Sequence, residues 1–439
     1  MVLLNGSIQI TASIVLFIIT YLGIVSKRIN RTVAVMIGAL SMILLGHGMG
    51  FYDQNAAIAY IDFNTIGLLM GMMILVGILG DSGFFGYLAI KTAKMSKGSY
   101  YRLLTLFILV TAFASAFLDN ITTILLMAPV TITIAEEIDI NPVPFVISEG
   151  IAAHIGGTAT LIGDPPNILI GSQAGINFVE FVIYLGPIVL IILFATLLIF
   201  ELAFHNILKG DMKNFEKVAE MDEGDQIEDW NMFKKSLIAL LITIGLFTIH
   251  HIIGIEPWVV AMLGASLLLL MTFSAPREAL LHVHWSTLLF LVGLFILVGG
   301  LDSAGVIDMI AIGVAEVSGG NLLMALFVVL VVSGTFSIIV GNIPATITLI
   351  PAIGTFIETS GLGTGYVVNP MWWALSLAVC LGSNGTLISG PANLMTANIS
   401  ERMGYPISFK DFTKIGLPIT IFSIGLSFVL LWVFFIVLM

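Results

Sequence analysis

Apolar stretches, each long enough to cross a lipid bilayer as a helix, recur along this 439-residue chain and limit its fold more than any other feature. A membrane helix needs about 20 apolar residues, and in lipid only helices and closed barrels satisfy their own backbone groups. With 58% hydrophobic and 10% charged residues, the composition lies far from that of a soluble domain. The sequence therefore predicts an all-α polytopic membrane protein, surrounded by the lipid bilayer and without a nucleic-acid partner. Uninterrupted runs fall near residues 8–25, 32–48, 64–80, 181–202, 235–253, 257–273, 284–301 and 413–439.

Four further regions are apolar but interrupted. Residues 100–137 and 322–357 each form two apolar arms around a polar tip, which predicts two re-entrant helical hairpins. Residues 143–173 and 370–399 are spans broken by Gly, Pro and Asn, which predicts two broken transmembrane helices. The hydrophilic residues 205–234 are predicted to form a cytoplasmic linker.

The basic residues predict the orientation of the chain. With ten crossings and two hairpins, all 16 Lys and Arg residues, from Lys27 through Lys213 to Lys414, fall on one side, and the opposite loops carry acidic residues but no Lys or Arg. Because basic loops stay in the cytoplasm, we expect a multi-pass protein of the cytoplasmic membrane with both termini outside. Two full crossings also return a chain to its starting side, so this count does not separate a hairpin from two spans.

The chain contains an internal duplication. Thr65 to Gly71 matches Thr287 to Gly293 at an offset of 222, and the same offset places Asn120 on Asn342. This predicts a first repeat over residues 1–204 and a second over 235–439. Because each half has an odd number of crossings, the two copies should be inverted, as in secondary transporters whose site lies between the repeats.

The two helix breaks suggest the chemistry of that site. In Gly163-Asp164-Pro165-Pro166-Asn167, the prolines force the helix to stop and restart, and Ser389 to Asn393 repeats the pattern. A break leaves free carbonyls, which suit Na⁺, and a helix N-terminus, which favours an anion.

Two aspartates of these motifs occur in the first repeat only, since Gly341 and Gly390 stand at the positions equivalent to Asp119 and Asp164. Both aspartates sit where an N-cap belongs, but a pair of carboxylates in one half is also what a cation or proton pathway requires. His154 is a candidate proton relay, whereas Glu149 is predicted to lie at the membrane interface. The full set of predicted substrate- or ion-binding residues is Asp119, Asn120, Thr122, Thr160, Gly163, Asp164, Asn167, Asn342, Asn384, Thr386 and Asn393.

The asparagines and threonines of this set have a second interpretation. Each asparagine could instead satisfy the backbone groups that a break sets free, and membrane threonines often bond the carbonyls of their own helix. No Lys or Arg falls inside a predicted span, which weakens the case for a multivalent anion as cargo. No arrangement of a nucleophile with a base indicates an enzyme, and no cofactor other than a coupling ion is predicted.

The segments Ser115 to Ile132 and Ile155 to Ser172 closely resemble the ArsB/NhaD-type permeases of the ion transporter superfamily, especially the branch of the melanosomal P protein, with a CitMHS-like transporter domain. This resemblance covers essentially the whole chain. It implies inverted repeats with hairpins and broken helices, a homodimer, and elevator-type alternating access. By similarity to sodium-coupled relatives, a Na⁺ site would use Asn120, Thr122, Thr160 and Gly163 beside Asp119.

The departures from the family pattern bear on the coupling ion. The second tip reads Gly341-Asn342-Ile343-Pro344, without the hydroxyl that a second Na⁺ site would use, and Asp119 replaces a serine. We expect an H⁺- or Na⁺-coupled secondary transporter of a small inorganic ion or anion. Na⁺/H⁺ antiport and efflux of arsenite or antimonite are the leading hypotheses for the cargo. An arsenite pump could also have a cytoplasmic ATPase subunit. A citrate or dicarboxylate symporter and an uncoupled anion channel are the alternatives.

Overall fold

The computed structural model describes residues 2–26, 28–205, 208–209, 212, 214–273 and 275–437, with side chains from residue 7 onward except that of Ile436. Within these residues every regular element is helical, which confirms the all-α class. The predicted orientation rests in part on Lys27 and Lys213, which lie outside the described residues.

Among the described residues, ten α-helices lie in the first half of the chain and eleven follow. The first ten, α1 to α10, are Val2–Val25, Arg31–Met49, Gln54–Ala59, Phe63–Asp81, Phe84–Met95, Tyr100–Phe117, Asn120–Glu137, Val143–Gly157, Pro165–Ala174 and Phe178–Ala203. The others, α11 to α21, are Phe215–Glu220, Trp230–Ile249, Pro257–Thr272, Pro276–Ala279, Trp285–Ser303, Val306–Ser318, Leu322–Val340, Asn342–Ser360, Pro370–Gly382, Pro391–Arg402 and Phe409–Trp432. Short turns of 3-10 helix at Glu223–Gln226 and Leu280–His282 and of π-helix at Val433–Val437 complete the described helical structure.

The helix boundaries repeat with the sequence. Helices α4 and α15 begin at Phe63 and Trp285, and α7 and α18 begin at Asn120 and Asn342, both pairs at the offset of 222. The second halves of the two interrupted regions begin at prolines, Pro165 and Pro391. The order of elements is thus the same in both halves. The inversion of one copy relative to the other, and the exact domain limits, stay predictions.

The protein is a multi-pass membrane protein. In the described chain, ten helices are long and apolar enough to span a bilayer, but they are not the ten predicted crossings. They include three arms of the predicted hairpins, α6, α17 and α18. Helices α8, α13 and α19 are apolar but only 10–17 residues long, and α9 and α20 are not among the apolar helices. The described chain thus has ten helices of spanning length, and whether the arms re-enter or cross stays a prediction.

The interrupted helices occupy the centre of the molecule. Outer helices expose large apolar side chains to the lipid, for example Leu44 of α2 and Leu202 of α10, whereas α8 is buried along nearly its whole length. Helix α9 packs against α18 and α19 of the second half, and α20 packs against α7 and α8 of the first. The helix that follows each break, α9 or α20, thus packs against the other half. Protein shields the polar breaks from lipid, as non-helical backbone within a membrane requires.

The linker is docked on the first half. Lys94 of α5 pairs with Glu223, and this hydrogen bond holds the pKa of the Glu223 carboxyl below its usual value. Gly83 has a φ of +83°, and a Cβ there would lie 1.7 Å from the Gln226 carbonyl oxygen. Glycine at this position lets the linker approach the start of α5 closely.

Candidate functional site

The first hairpin tip meets the first break. The Ser115 hydroxyl near the end of α6 donates to the Ala153 carbonyl of α8 at 2.8 Å. The Thr160 hydroxyl in the break donates to the Ala116 carbonyl near the tip. A Cβ on Gly156 would lie 2.0 Å from the Ala112 carbonyl oxygen. Close helix contact, which small residues permit, therefore holds the tip and the break at the same depth.

The second half builds the same contact. The Ser337 hydroxyl of α17 donates to the Val379 carbonyl of α19 at 2.7 Å, as Ser115 does to Ala153. At the tip, the Asn342 backbone N–H donates to the Ser389 carbonyl of the second break at 3.1 Å. The pairing of tip and break is thus a property of the duplicated unit.

An asparagine closes each break. The side-chain nitrogen of Asn167 donates to the carbonyls of Thr158 and Thr160 at 3.0 and 2.8 Å. The side-chain nitrogen of Asn393 donates equivalently to the carbonyls of Ser383 and Thr386 at 2.7 and 3.1 Å. Both amide nitrogens therefore donate to carbonyls that the interrupted helices leave free. This matches the second interpretation of the asparagines, that they satisfy backbone groups at the breaks.

The carboxylate of Asp119 is hydrogen-bonded to the helix that follows it. One carboxylate oxygen accepts the backbone N–H groups of Ile121 and Thr122, both at 3.0 Å, and the other accepts the Thr122 hydroxyl. Three donors satisfy this carboxylate without a cation, and Thr122, predicted as a Na⁺ ligand, is turned toward it. Asp119 thus forms an N-cap for α7.

Asp164 has the same backbone position at the start of α9 but does not cap it. Its side chain is fully buried; one oxygen accepts the Asn342 amide of the other half at 3.3 Å, and the other lies 3.7 Å from His154 Nδ1. The Asn120 amide lies 2.8 Å from the same His154 nitrogen. We call Asn120, His154, Asp164 and Asn342 the central cluster.

Several atoms in and around this cluster lack a partner. Asn120 Oδ1, His154 Nε2 and Asp164 Oδ2 are buried without a hydrogen bond, as are the Oδ1 atoms of Asn384 and Asn393 in the second break. Leaving such an atom unpaired costs about 1–3 kcal/mol. This concentration of acceptors and of one imidazole nitrogen is what a binding site for a small ion, a proton or water requires.

The other predicted residues lie around the cluster. Gly163 packs against the Ser115 carbonyl, and the Asn384 amide donates to the Ile151 carbonyl at 3.4 Å. Thr386 accepts the Ser389 backbone N–H at 3.2 Å. No group of three or more His, Cys, Asp or Glu side chains able to hold a metal occurs in the described part of the chain. A Na⁺ ion would therefore need backbone or amide oxygens in addition to any carboxylate oxygen.

Glu149 differs from the sequence prediction. It is not at an exposed membrane interface: its side chain is fully buried, with the hydroxyls of Thr131 and Thr111 at 2.8 and 3.5 Å from one oxygen. Its other oxygen has no hydrogen-bond partner. The available signal was its position inside the predicted broken span 143–173, where an ionisable residue is costly and marks function by default.

Two further contacts were missed. Asn167 Oδ1 accepts the Ser376 hydroxyl at 2.6 Å and lies 3.6 Å from Cys380 Sγ, both on α19. These contacts tie the first break to the second half. No sequence pattern indicated them, because Ser376 and Cys380 lie in a uniformly apolar run.

The chain is similar to known transport proteins over most of its length. The sequence model of the CitMHS family, described as citrate transporter, matches residues 15–378. An uncharacterized transporter of Mycobacterium tuberculosis is 38% identical over 431 residues, which cover 97% of this chain and 99% of the relative. The P protein of Homo sapiens is 31% identical over 510 residues, which cover 97% of this chain and 60% of that protein.

Among solved structures, the YdaH transporter of Alcanivorax borkumensis, whose topology is described as unusual, is similar with a TM-score of 0.58. The match has 13% sequence identity and covers 84% of this chain and 85% of that one. At this identity the likeness bears on the fold alone.

Proposed function

Because the chain belongs to the CitMHS citrate transporter family, a family of membrane transporters, we propose that it is a secondary active transporter coupled to H⁺ or Na⁺. The observation that carries this proposal is the position of Asp164. Its side chain is fully buried, does not cap α9, and lies between His154 of its own half and Asn342 of the other. A buried carboxylate that does not serve its own helix requires a cation or a proton.

His154 gives the cluster a way to respond to a proton. When His154 is neutral with its hydrogen on Nε2, the Asn120 amide N–H donates to Nδ1. When His154 gains a second proton, Nδ1 becomes a donor and must turn to an acceptor. The unpartnered Asp164 Oδ2 and Asn120 Oδ1 are the acceptors available. Protonation would therefore strengthen the contact between α8 and the start of α9, and a Na⁺ ion at the same oxygens would do the same by charge.

The position of the cluster supports alternating access. Asn342 of the second tip contacts Asp164 of the first break, so occupancy of the site acts on the junction between the halves. We propose elevator-type movement in a homodimer, in the cytoplasmic membrane, for a small inorganic ion or anion. Na⁺/H⁺ exchange and arsenite efflux, with a cytoplasmic ATPase subunit in the second case, are the cargoes proposed from the sequence. Symport of citrate or a dicarboxylate is the alternative that the family description favours.

The test is transport by purified protein in proteoliposomes, with Na⁺, arsenite and C4 or C6 carboxylates as cargo and internal pH recorded throughout. Asp164→Asn should abolish accumulation driven by a pH or Na⁺ gradient, a loss of about 100-fold or more, because a neutral amide neither takes up a proton nor balances the charge of a bound cation. Glu358→Gln is the matched control, since Glu358 is exposed on α18.

Two results would contradict the proposal. One is gradient-driven accumulation by folded Asp164→Asn at the wild-type rate. The other is a wild-type reversal potential that ignores the H⁺ and Na⁺ gradients, which would indicate an uncoupled anion channel.

A further inference from the structure

Two adjacent cavities lie beside the central cluster. One of about 380 Å³ reaches the second tip at Gly341 and Asn342, and one of about 590 Å³ reaches Ile121 next to the first tip. We call the two together the vestibule. Both cavities share a set of lining residues: Arg31, Thr287, Pro391, Leu394 and Asn398.

Arg31 is the one formally charged residue among those that line either cavity. Its guanidinium lies over the Phe290 ring, 5.6 Å from the centroid, and no described carboxylate pairs with it. The Arg31 side chain has no hydrogen-bond or ion-pair partner among the described residues, so its N–H groups are available for a ligand. A positive charge in the first turn of α2 does not stabilise that helix, so helix stability does not explain this residue.

The start of α20 borders the same space and has backbone donors without a side-chain cap. Pro391 lines both cavities, and no side chain caps this helix. The N–H groups of Ala392 and Asn393 therefore have no capping acceptor. The first restart helix, α9, lacks such donors, because Pro165 and Pro166 have no N–H and the Asn167 N–H bonds the Asp164 carbonyl at 2.9 Å.

A third cavity, also of about 380 Å³, provides an internal comparison. Thr65, Leu68 and Ser172 line it at the positions equivalent to Thr287, Phe290 and Asn398 of the vestibule. Its lining contains Glu256, His250 and His251 and no Lys or Arg. The two repeats thus build related cavities, and only the vestibule carries a fixed positive charge.

We propose that Arg31 binds an oxyanion group of the cargo, a carboxylate or an inorganic oxyanion, as the cargo enters the vestibule. The planar guanidinium suits a two-point bond to either group. The inference rests on the proposed transport function and names its substrate class. The absence of Lys and Arg inside the predicted spans weakened the case for an anion, but Arg31 lies just before the predicted span 32–48, and the fold places it in the lining shared with Asn342 and Ile121.

The test compares Arg31→Gln and Arg31→Lys with Arg28→Gln, a control that removes a charge near the same loop without lining the vestibule. Uptake of citrate, succinate and phosphate is measured in proteoliposomes beside that of arsenite, which is neutral at pH 7. For the transported oxyanion, Arg31→Gln should raise KM about 10- to 100-fold, because charge-assisted bonds are lost. Arg31→Lys should have a smaller effect, and Arg28→Gln and arsenite uptake should stay at wild-type values.

Carboxylate and inorganic cargo are separated by which anion shows the shift. The proposal is overturned if Arg31→Gln leaves every KM unchanged, or if it slows arsenite as much as the anions. It is also overturned if no anion in the panel is transported or raises the Tm of the purified wild-type protein. Loss of gradient coupling in the wild type, with an Arg31-dependent anion flux intact, would defeat the proposed coupled transport and leave the Arg31 assignment standing.

Discussion

The two helix breaks share their framework and differ in their chemistry. In both, a serine on a hairpin arm ties the first helix, and an asparagine on the second helix closes the free carbonyls. The first break then places a buried carboxylate, Asp164, at the start of α9, where the second has Gly390 at the start of α20. The first suits a cation or a proton, whereas the second presents open backbone N–H groups.

A side chain of the first half fills the space beside Gly390 in the second break. A Cβ on Gly390 would lie 2.4 Å from His154 Nε2, so the imidazole occupies the space that a side chain would take. The two halves therefore share a structural framework, and the central cluster lies where their residues differ. Variants that make the halves more alike, or weaken one of them, test this comparison.

Among the variants that test this comparison, the largest effect is expected from Gly390→Ala. Its φ of −130° is ordinary for alanine, so the effect comes from steric overlap with His154, and overpacking costs about 1–3 kcal/mol. We expect at least a tenfold loss of transport, and Gly186→Ala, where a Cβ meets nothing within 4 Å, is the control.

The double variant Gly390→Ala with His154→Ala isolates the contact. Its stability, measured as Tm in detergent, should exceed that of Gly390→Ala alone, because the alanine then has room. If the second substitution only adds to the damage, the imidazole does not fill that space.

The next effect concerns the two closing asparagines. Asn167→Ala removes donors to the break and also the acceptor of Ser376, whereas the Oδ1 of Asn393 has no partner to lose. Each buried group left unpaired costs about 1–3 kcal/mol, so Asn167→Ala should lower the Tm more than Asn393→Ala. Thermal unfolding of both variants in the same detergent decides this. Equal Tm values would mean that the tie to α19 contributes nothing.

The smallest effect is expected at Asp119. The substitution Asp119→Asn keeps a side-chain oxygen that can accept the α7 backbone N–H groups, so stability and pH-coupled flux should stay near wild type. Asp119→Ala removes that acceptor and should cost about 1 kcal/mol as a lost cap. Transport and Tm are measured for both. Loss of pH-coupled flux in Asp119→Asn would return this carboxylate to the coupling role that the sequence suggested.

Much of the site was predictable because lipid makes polar residues conspicuous. Asp164, His154 and the paired asparagines stood out in apolar runs, and the structure gathers Asn120, His154, Asp164 and Asn342 in one cluster. The difference between Asp119 and Asp164 was not predictable, because both precede a helix start. Only side-chain geometry shows that Asp119 turns back to its own helix and Asp164 turns away.

The sequence by itself determined the class of the protein, the duplication and the places where its helices break, because hydrophobic length and proline act locally. The tertiary structure decided which polar groups meet. It buried Glu149 among threonines, placed His154 against Gly390, and put Arg31, the first residue of α2, in the lining of a cavity that reaches Asn342. Such contacts join residues far apart in the chain, and they depend on how helices from the two halves cross, which no local pattern records.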